Sequence, residues 1–154
     1  MELKKIASFQ VDHLKLDRGM YISRIDGDVV TYDLRLKKPN VDPVLPIAAL
    51  HTIEHLVATF LRSSERSEHI LYFGPMGCRT GCYLLTRGLS HGDAIALVRE
   101  AFEFMAAYEG PVPGATESEC GNWKDHDLAG ARREAQSFAQ VLSGYTESRL
   151  SYKS

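Results

Sequence analysis

Apolar and polar residues alternate along Met20-Tyr-Ile-Ser-Arg-Ile25 and again along Val29-Val-Thr-Tyr-Asp-Leu-Arg-Leu36. This period of two predicts a pair of β-strands. Asp26-Gly27-Asp28 between them carries turn chemistry, so residues 20–36 are expected to form a hairpin. Pro39, Pro43 and Pro46 then hold the chain extended, and Pro46 suits the first turn of a helix, where its missing N–H costs nothing. From Ile47 to about Ser63 the period lengthens. Ile53, Leu56, Val57, Phe60 and Leu61 recur at three- and four-residue spacing and define the core face of a helix. His69-Ile-Leu-Tyr-Phe73 and Cys82-Tyr-Leu-Leu-Thr86 read as short strands, separated by Gly74-Pro75-Met76-Gly77. Ser90 with Asp93 three residues on resembles a capping box and opens a helix to about Tyr108. Gly110 to Gly114 is a loop, and a last helix is expected from Asp127 to about Leu142. After Gly144 the chain is Ser-rich and polar, and residues 144–154 are expected to fray. Hairpin, helix, strands, then helices make an α+β pattern, and residues 1–154 are the length of one domain.

Composition adds exclusions. The chain is 44% apolar and 25% charged, and its 18 Lys and Arg against 20 Asp and Glu leave a formal net charge of −2. That is the balance of a globular protein, with no basic excess to attract nucleic acid and no basic amphipathic stretch to attract a membrane surface. No apolar run approaches the roughly 20 residues of a membrane span. The first residues lack the apolar segment of a secretory signal, so a reduced, cytoplasmic setting is expected. The three cysteines are an odd number, so at least one has no partner within the chain for a disulfide.

His51-Thr52-Ile53-Glu54-His55 is the strongest chemical signal. At 100° per residue, His51 and His55 point within about 40° of each other, and Glu54 lies about 60° to the other side of His51. Two imidazoles one turn apart can chelate one metal, and a neighbouring carboxylate can move protons there. His-x-x-Glu-His is also the signature of inverted-zincin peptidases, which makes a small metallohydrolase one reading. Without a metal, the same residues are a polar, solvated helix face. A third ligand can come from Glu119 or Cys120, in Glu117-Ser-Glu-Cys-Gly-Asn122. The thiolate is the softer donor, and a His2Cys set keeps a fourth position open, as catalytic sites do. Cys78 sits in Gly74-Pro-Met-Gly-Cys-Arg-Thr-Gly81, where glycines allow close approach of a small molecule and the adjacent Arg79 favours a thiolate. Cys82 reads as a packing residue. His69 and His91 read as surface residues, while His13 and His126, flanked by acids, are candidates to support a ligand.

Taken together, five blocks resemble the S-ribosylhomocysteine lyase family, which makes the precursor of autoinducer-2. They are Ser8-Phe-Gln-Val-Asp-His13, Tyr32-Asp-Leu-Arg-Leu-Lys-Lys-Pro-Asn40, His51-Thr-Ile-Glu-His-Leu56, Pro75-Met-Gly-Cys-Arg-Thr-Gly81, and Glu119-Cys-Gly-Asn122 with Asp125-His-Asp-Leu128. The resemblance implies one divalent metal per subunit on His51, His55 and Cys120, ordinarily Fe2+, with Zn2+ or Co2+ able to substitute. It implies Glu54 and Cys78 as the acid–base pair, and Ser8, His13 and Arg35 as residues that line the substrate pocket. Arg35 is expected to meet the carboxylate of the amino acid portion. A homodimer with its site near the subunit interface is also implied. The implied fold is a small antiparallel sheet with helices packed on it, a two-layer sandwich shared with the inverted zincins. Two segments depart from the usual pattern. Tyr72-Phe-Gly-Pro75 replaces Asp-x-Ser-Pro, and Cys82 replaces an aromatic residue or Met.

Overall fold

A computed structural model describes residues 1–154. The hairpin forms as β1 (Gly19–Asp26) and β2 (Val29–Arg35), followed by helix α2 (Ile47–Ser63), β3 (Ile70–Pro75), β4 (Gly81–Arg87), α3 (His91–Ala106) and α4 (Leu128–Val141). One further helical turn, α1 (Ala7–Gln10), precedes the hairpin. The four strands make one antiparallel sheet in the order β1-β2-β4-β3. The fold is thus α+β, as the pattern predicts, with the small antiparallel sheet that the resemblance implies. The cap read from sequence forms, with Ser90 Oγ accepting from the Asp93 N–H, and the structure adds a second at α4, where Asp127 accepts from the Gly130 N–H. No helix is long and apolar enough to cross a membrane.

Alternation divides each strand between two environments. On β2, Tyr32 and Leu34 join the hydrophobic core, and α2 packs between that core, β3, α3 and α4. Phe102 of α3 meets Phe138 of α4 edge to face, with ring centroids 4.8 Å apart. Asp33 and Arg35, on the other face of the same strand, are also buried. The register that places Arg35 opposite Gly81 depends on the glycine, because a β-carbon there would run into the Leu34 carbonyl.

The expectation of a frayed end is corrected. Gly144, at φ +65°, turns the chain back, and Tyr145 and Leu150 are buried in the core. The Tyr145 hydroxyl donates to the Met20 carbonyl (2.7 Å) and accepts from the Met20 N–H (3.0 Å). The Leu150 carbonyl accepts from the Ile22 N–H at 2.7 Å. β1 is the sheet edge with backbone groups to satisfy, and the C-terminal segment satisfies them. Its apolar residues are too few and too irregularly spaced to show as a period.

Candidate active site

His51 and His55 stand one turn apart on α2, and the loop between α3 and α4 closes over them. His51 Nδ1 lies 2.7 Å from the Asp125 carbonyl oxygen, and His55 Nδ1 lies 2.7 Å from that of Pro113. A carbonyl only accepts, so both Nδ1 atoms carry the proton and both Nε2 atoms present lone pairs. The Asp125 carboxylate adds a second, longer contact to His51 Nδ1 at 3.6 Å. Gly114, at φ +68°, makes the turn that brings the Pro113 carbonyl onto His55.

Cys120 Sγ is 3.5 Å from His51 Nε2 and 3.9 Å from His55 Nε2. Metal–nitrogen bonds near 2.1 Å and a metal–sulfur bond near 2.3 Å give a tetrahedral N···S edge of about 3.5 Å. The His51 and His55 rings are inclined at 86°, and both Nε2 atoms face Cys120 Sγ. These three side chains therefore fit a divalent cation, and His126 completes a cluster whose ligand atoms lie within 4.8 Å of one another. The Asn122 N–H points at Cys120 Sγ (3.4 Å), which suits a thiolate. Glu119 does not join the cluster. Its carboxylate accepts from the Thr116 hydroxyl at 2.6 Å, so the hydrolase reading loses its third ligand.

A second feature opens on the outer face of the sheet. Ser8, His13, Asp33, Arg35, Cys78 and Tyr152 line a cavity of about 330 Å3. The Arg35 guanidinium donates twice to Asp33, at 3.0 and 2.7 Å, and once to Thr80 Oγ1 at 2.8 Å. Its Nη1 is also 3.9 Å from Cys78 Sγ, and Thr80 Oγ1 is 3.1 Å from the same sulfur. The cation that reaches the thiol is therefore Arg35, and Arg79 makes no hydrogen bond to it. Arg79 instead shapes the turn, at φ +60°. Tyr152 Oη donates to Asp33 at 2.7 Å, and its ring stacks on Tyr21. Burial, then the Asp33 charge, pushes the Tyr152 hydroxyl above its ordinary range, so it stays a donor. His13 turns its Nδ1 to the Val11 carbonyl at 2.8 Å.

Glu54 is half-buried and without a hydrogen-bond partner, on the turn of α2 between the two histidines. Cys82 is fully enclosed. Burial pushes its thiol up strongly, with Glu54, Asp33 and Cys78 adding to the shift, as befits an inert packing residue. Cys78 lies in the turn just before β4. No residue of the metal cluster lines the Cys78 cavity. Asp33, Thr80 and Tyr152 went unremarked in the sequence as site residues, and His126 stood there only as one of two acid-flanked histidines.

A profile of the S-ribosylhomocysteinase (LuxS) family matches residues 6–148. The chain belongs to that family. Similar proteins of the LuxS family include S-ribosylhomocysteine lyases from Desulfotalea psychrophila and Clostridium acetobutylicum. The first is 48% identical, across 99% of this chain and 100% of its own length. The second is 47% identical, across 97% of this chain and 99% of its own. The S-ribosylhomocysteine lyase of Borrelia garinii subsp. bavariensis is 46% identical, across 97% of this chain and 99% of its own. The LuxS profile spans both the helix that carries His51 and His55 and the loop that carries Cys120, and it ends before Tyr152.

Proposed function

We propose that this protein cleaves S-ribosylhomocysteine to homocysteine and 4,5-dihydroxy-2,3-pentanedione, the precursor of autoinducer-2. One observation carries the reading. A preformed His2Cys set and an arginine-supported thiol occur together on a fold of the LuxS family. His51, His55 and Cys120 would hold the metal, and family resemblance points to Fe2+, with Zn2+ or Co2+ able to replace it. When bound, the cation supplies Lewis acidity that stabilises developing enolate charge by several kcal/mol.

The protein's own residues supply proton traffic and orientation. Moving the sugar carbonyl along its chain takes a proton from one carbon and returns one to its neighbour, which calls for a base at carbon. Cys78 takes that role as a thiolate, held by the Thr80 hydroxyl and the Arg35 charge. Arg35 is buried and already spends donors on Asp33 and Thr80. Its assignment therefore moves from a substrate carboxylate to the Cys78 sulfur. Glu54 carries protons among substrate oxygens and protonates the departing homocysteine sulfur. In that last step the enolate electron pair forms a carbon–carbon double bond as the carbon–sulfur bond breaks, so no water is consumed. Ser8 and His13 line the pocket that receives the substrate.

The separation of the metal cluster from the Cys78 cavity supports a homodimer whose second copy completes each site. The three unpaired cysteines support a reducing, cytoplasmic setting. Incubating anaerobically prepared, iron-loaded protein with S-ribosylhomocysteine should release free thiol continuously, read with a thiol reagent. A fully loaded sample that releases none sinks the reading.

A further inference from the structure

Assigning Arg35 to the Cys78 sulfur leaves the substrate carboxylate without a cation, and the Cys78 cavity holds no other arginine or lysine. That cavity has a neighbour. Ser8, Ser23 and Tyr83 also line a second one of about 370 Å3, farther along the outer face of the sheet. Arg24, Thr31 and Tyr72 bound it, and Arg24 is its only charged side chain.

A bulge in β1 delivers that arginine. Ile22 pairs with Tyr32 and Arg24 with Thr31, so Ser23 is an extra residue on β1. Such a bulge resets the alternation of faces. Ile22 packs against the core, and without the bulge Arg24 would turn the same way. With it, Ser23 stands where the two cavities meet and Arg24 lines the second. The far wall is Tyr72. A β-carbon at position 74 would collide with the Tyr72 ring, so Gly74 is what lets that ring lie along the sheet. The two departures from the usual Asp-x-Ser-Pro segment are therefore one coupled change, which leaves this wall aromatic and uncharged.

Arg24 can exchange partners where Arg35 cannot. Its Nε and Nη2 each donate to Asp26 at 2.6 Å, and Nη1 makes no hydrogen bond. Both side chains of that pair are more than half exposed, so water already competes for it. The Arg35–Asp33 pair is buried. A third cavity also adjoins Ser23, but it sets Asp12, which repels a carboxylate, beside Lys153.

We propose that Arg24 binds the carboxylate of the substrate's amino acid end, which runs from Cys78 past Ser23 into the second cavity. Arg35 and Thr31 lie four residues apart on β2, about 13 Å, a span that the thioether chain and the Arg24 side chain cover together. The inference rests on the lyase reading and names the residue that selects the acidic end of its substrate.

The test uses zinc-loaded protein and two ligands that cannot turn over because their sugar carbonyl is reduced. S-ribitylhomocysteine carries the carboxylate, and S-ribityl-3-aminopropanethiol lacks it. Each is titrated for protection of Cys78 against iodoacetamide, read by peptide mass and expressed relative to the unprotected rate. In the wild type, half-protection should need about tenfold less of the carboxylate ligand. R24Q should abolish that preference and leave protection by the decarboxylated ligand unchanged. D26N, which frees Arg24, should lower the half-protecting concentration of S-ribitylhomocysteine about two- to fivefold. A preference that survives in R24Q overturns the proposal, and so does a wild type that neither ligand protects. Thiol release from S-ribosylhomocysteine is measured beside these. Its absence, with protection and preference intact, sinks the lyase reading while leaving Arg24 as the carboxylate site.

Discussion

The Thr80 hydroxyl has one hydrogen to give, and Arg35 Nη1, at 2.8 Å, already donates to its oxygen. The remaining direction is toward Cys78 Sγ, at 3.1 Å. A buried hydroxyl oriented this way serves a sulfur anion better than a thiol, because hydrogen bonds to charged acceptors are the stronger ones. Removing it with the isosteric Thr80→Val should slow alkylation of Cys78 by iodoacetamide at fixed pH and lower kcat about tenfold, with KM moved less. Thr80→Ser should retain most of both. Unchanged alkylation and turnover in Thr80→Val would remove Thr80 from the thiolate's support. The two residues competing for the third ligand position also separate at this scale. Cys120→Ser should weaken metal binding by at least about 100-fold, since removing only the partner of a ligand already costs about 10–100-fold. Glu119→Gln should leave it unchanged, because that carboxylate is turned to Thr116. Metal content after dialysis decides between them.

At the level of elements, α2 and the hairpin were legible because each completes several periods of its own pattern, and the α3 cap because Ser90 acts within three residues. His51 and His55 were legible for the same reason, as an i, i+4 pair on a helix. Cys120 was not. It reaches the site across 69 residues from His51, and spacing alone left it level with Glu119. The Asp33–Arg35–Thr80–Cys78 arrangement was hidden too, because alternation on β2 shows only that Asp33 and Arg35 leave the core, not that a second covered face awaits them. That face depends on the close pairing of β2 with β4. Gly81→Ala should push β4 off the Leu34 carbonyl and destabilise the fold by about 3 kcal/mol. In a chain of this size that is roughly 6–12 °C in Tm. Because Arg35 pairs with Gly81, turnover should fall further than stability explains, while cobalt uptake at α2 persists. A thermal melt beside a cobalt titration checks both.

Across the whole molecule, the two ends of the chain are what close the outer face of the sheet. Asp17, before β1, pairs with Lys153 of the C-terminal segment and with Lys38 after β2, so one carboxylate ties three parts of the chain together. The hydrogen bond from Lys153, then that from Lys38, lowers the Asp17 pKa to about 2. A carboxylate depressed in the folded state stabilises it fully above the ordinary carboxylate range. That contribution is lost as pH falls from about 4 toward 2. The wild type should therefore lose stability through that window, and Asp17→Asn should lose less there while starting lower at neutral pH. The pairs are substantially exposed, so added salt should shrink the difference. Tyr152, next to Lys153, carries the same closure into the site through Asp33 and so to Arg35. Ending the chain at Gly144 removes the buried Tyr145 and Leu150 and should cost about 3–6 kcal/mol. The finer change, Tyr152→Phe, keeps that packing and deletes one hydrogen bond to a charged acceptor, a loss of about 1.5–3 kcal/mol. If the C-terminal segment is part of the active site, Tyr152→Phe should retain metal and fold yet slow both Cys78 alkylation and thiol release. If it is only a structural strap, Tm should fall while both rates stay at wild-type values.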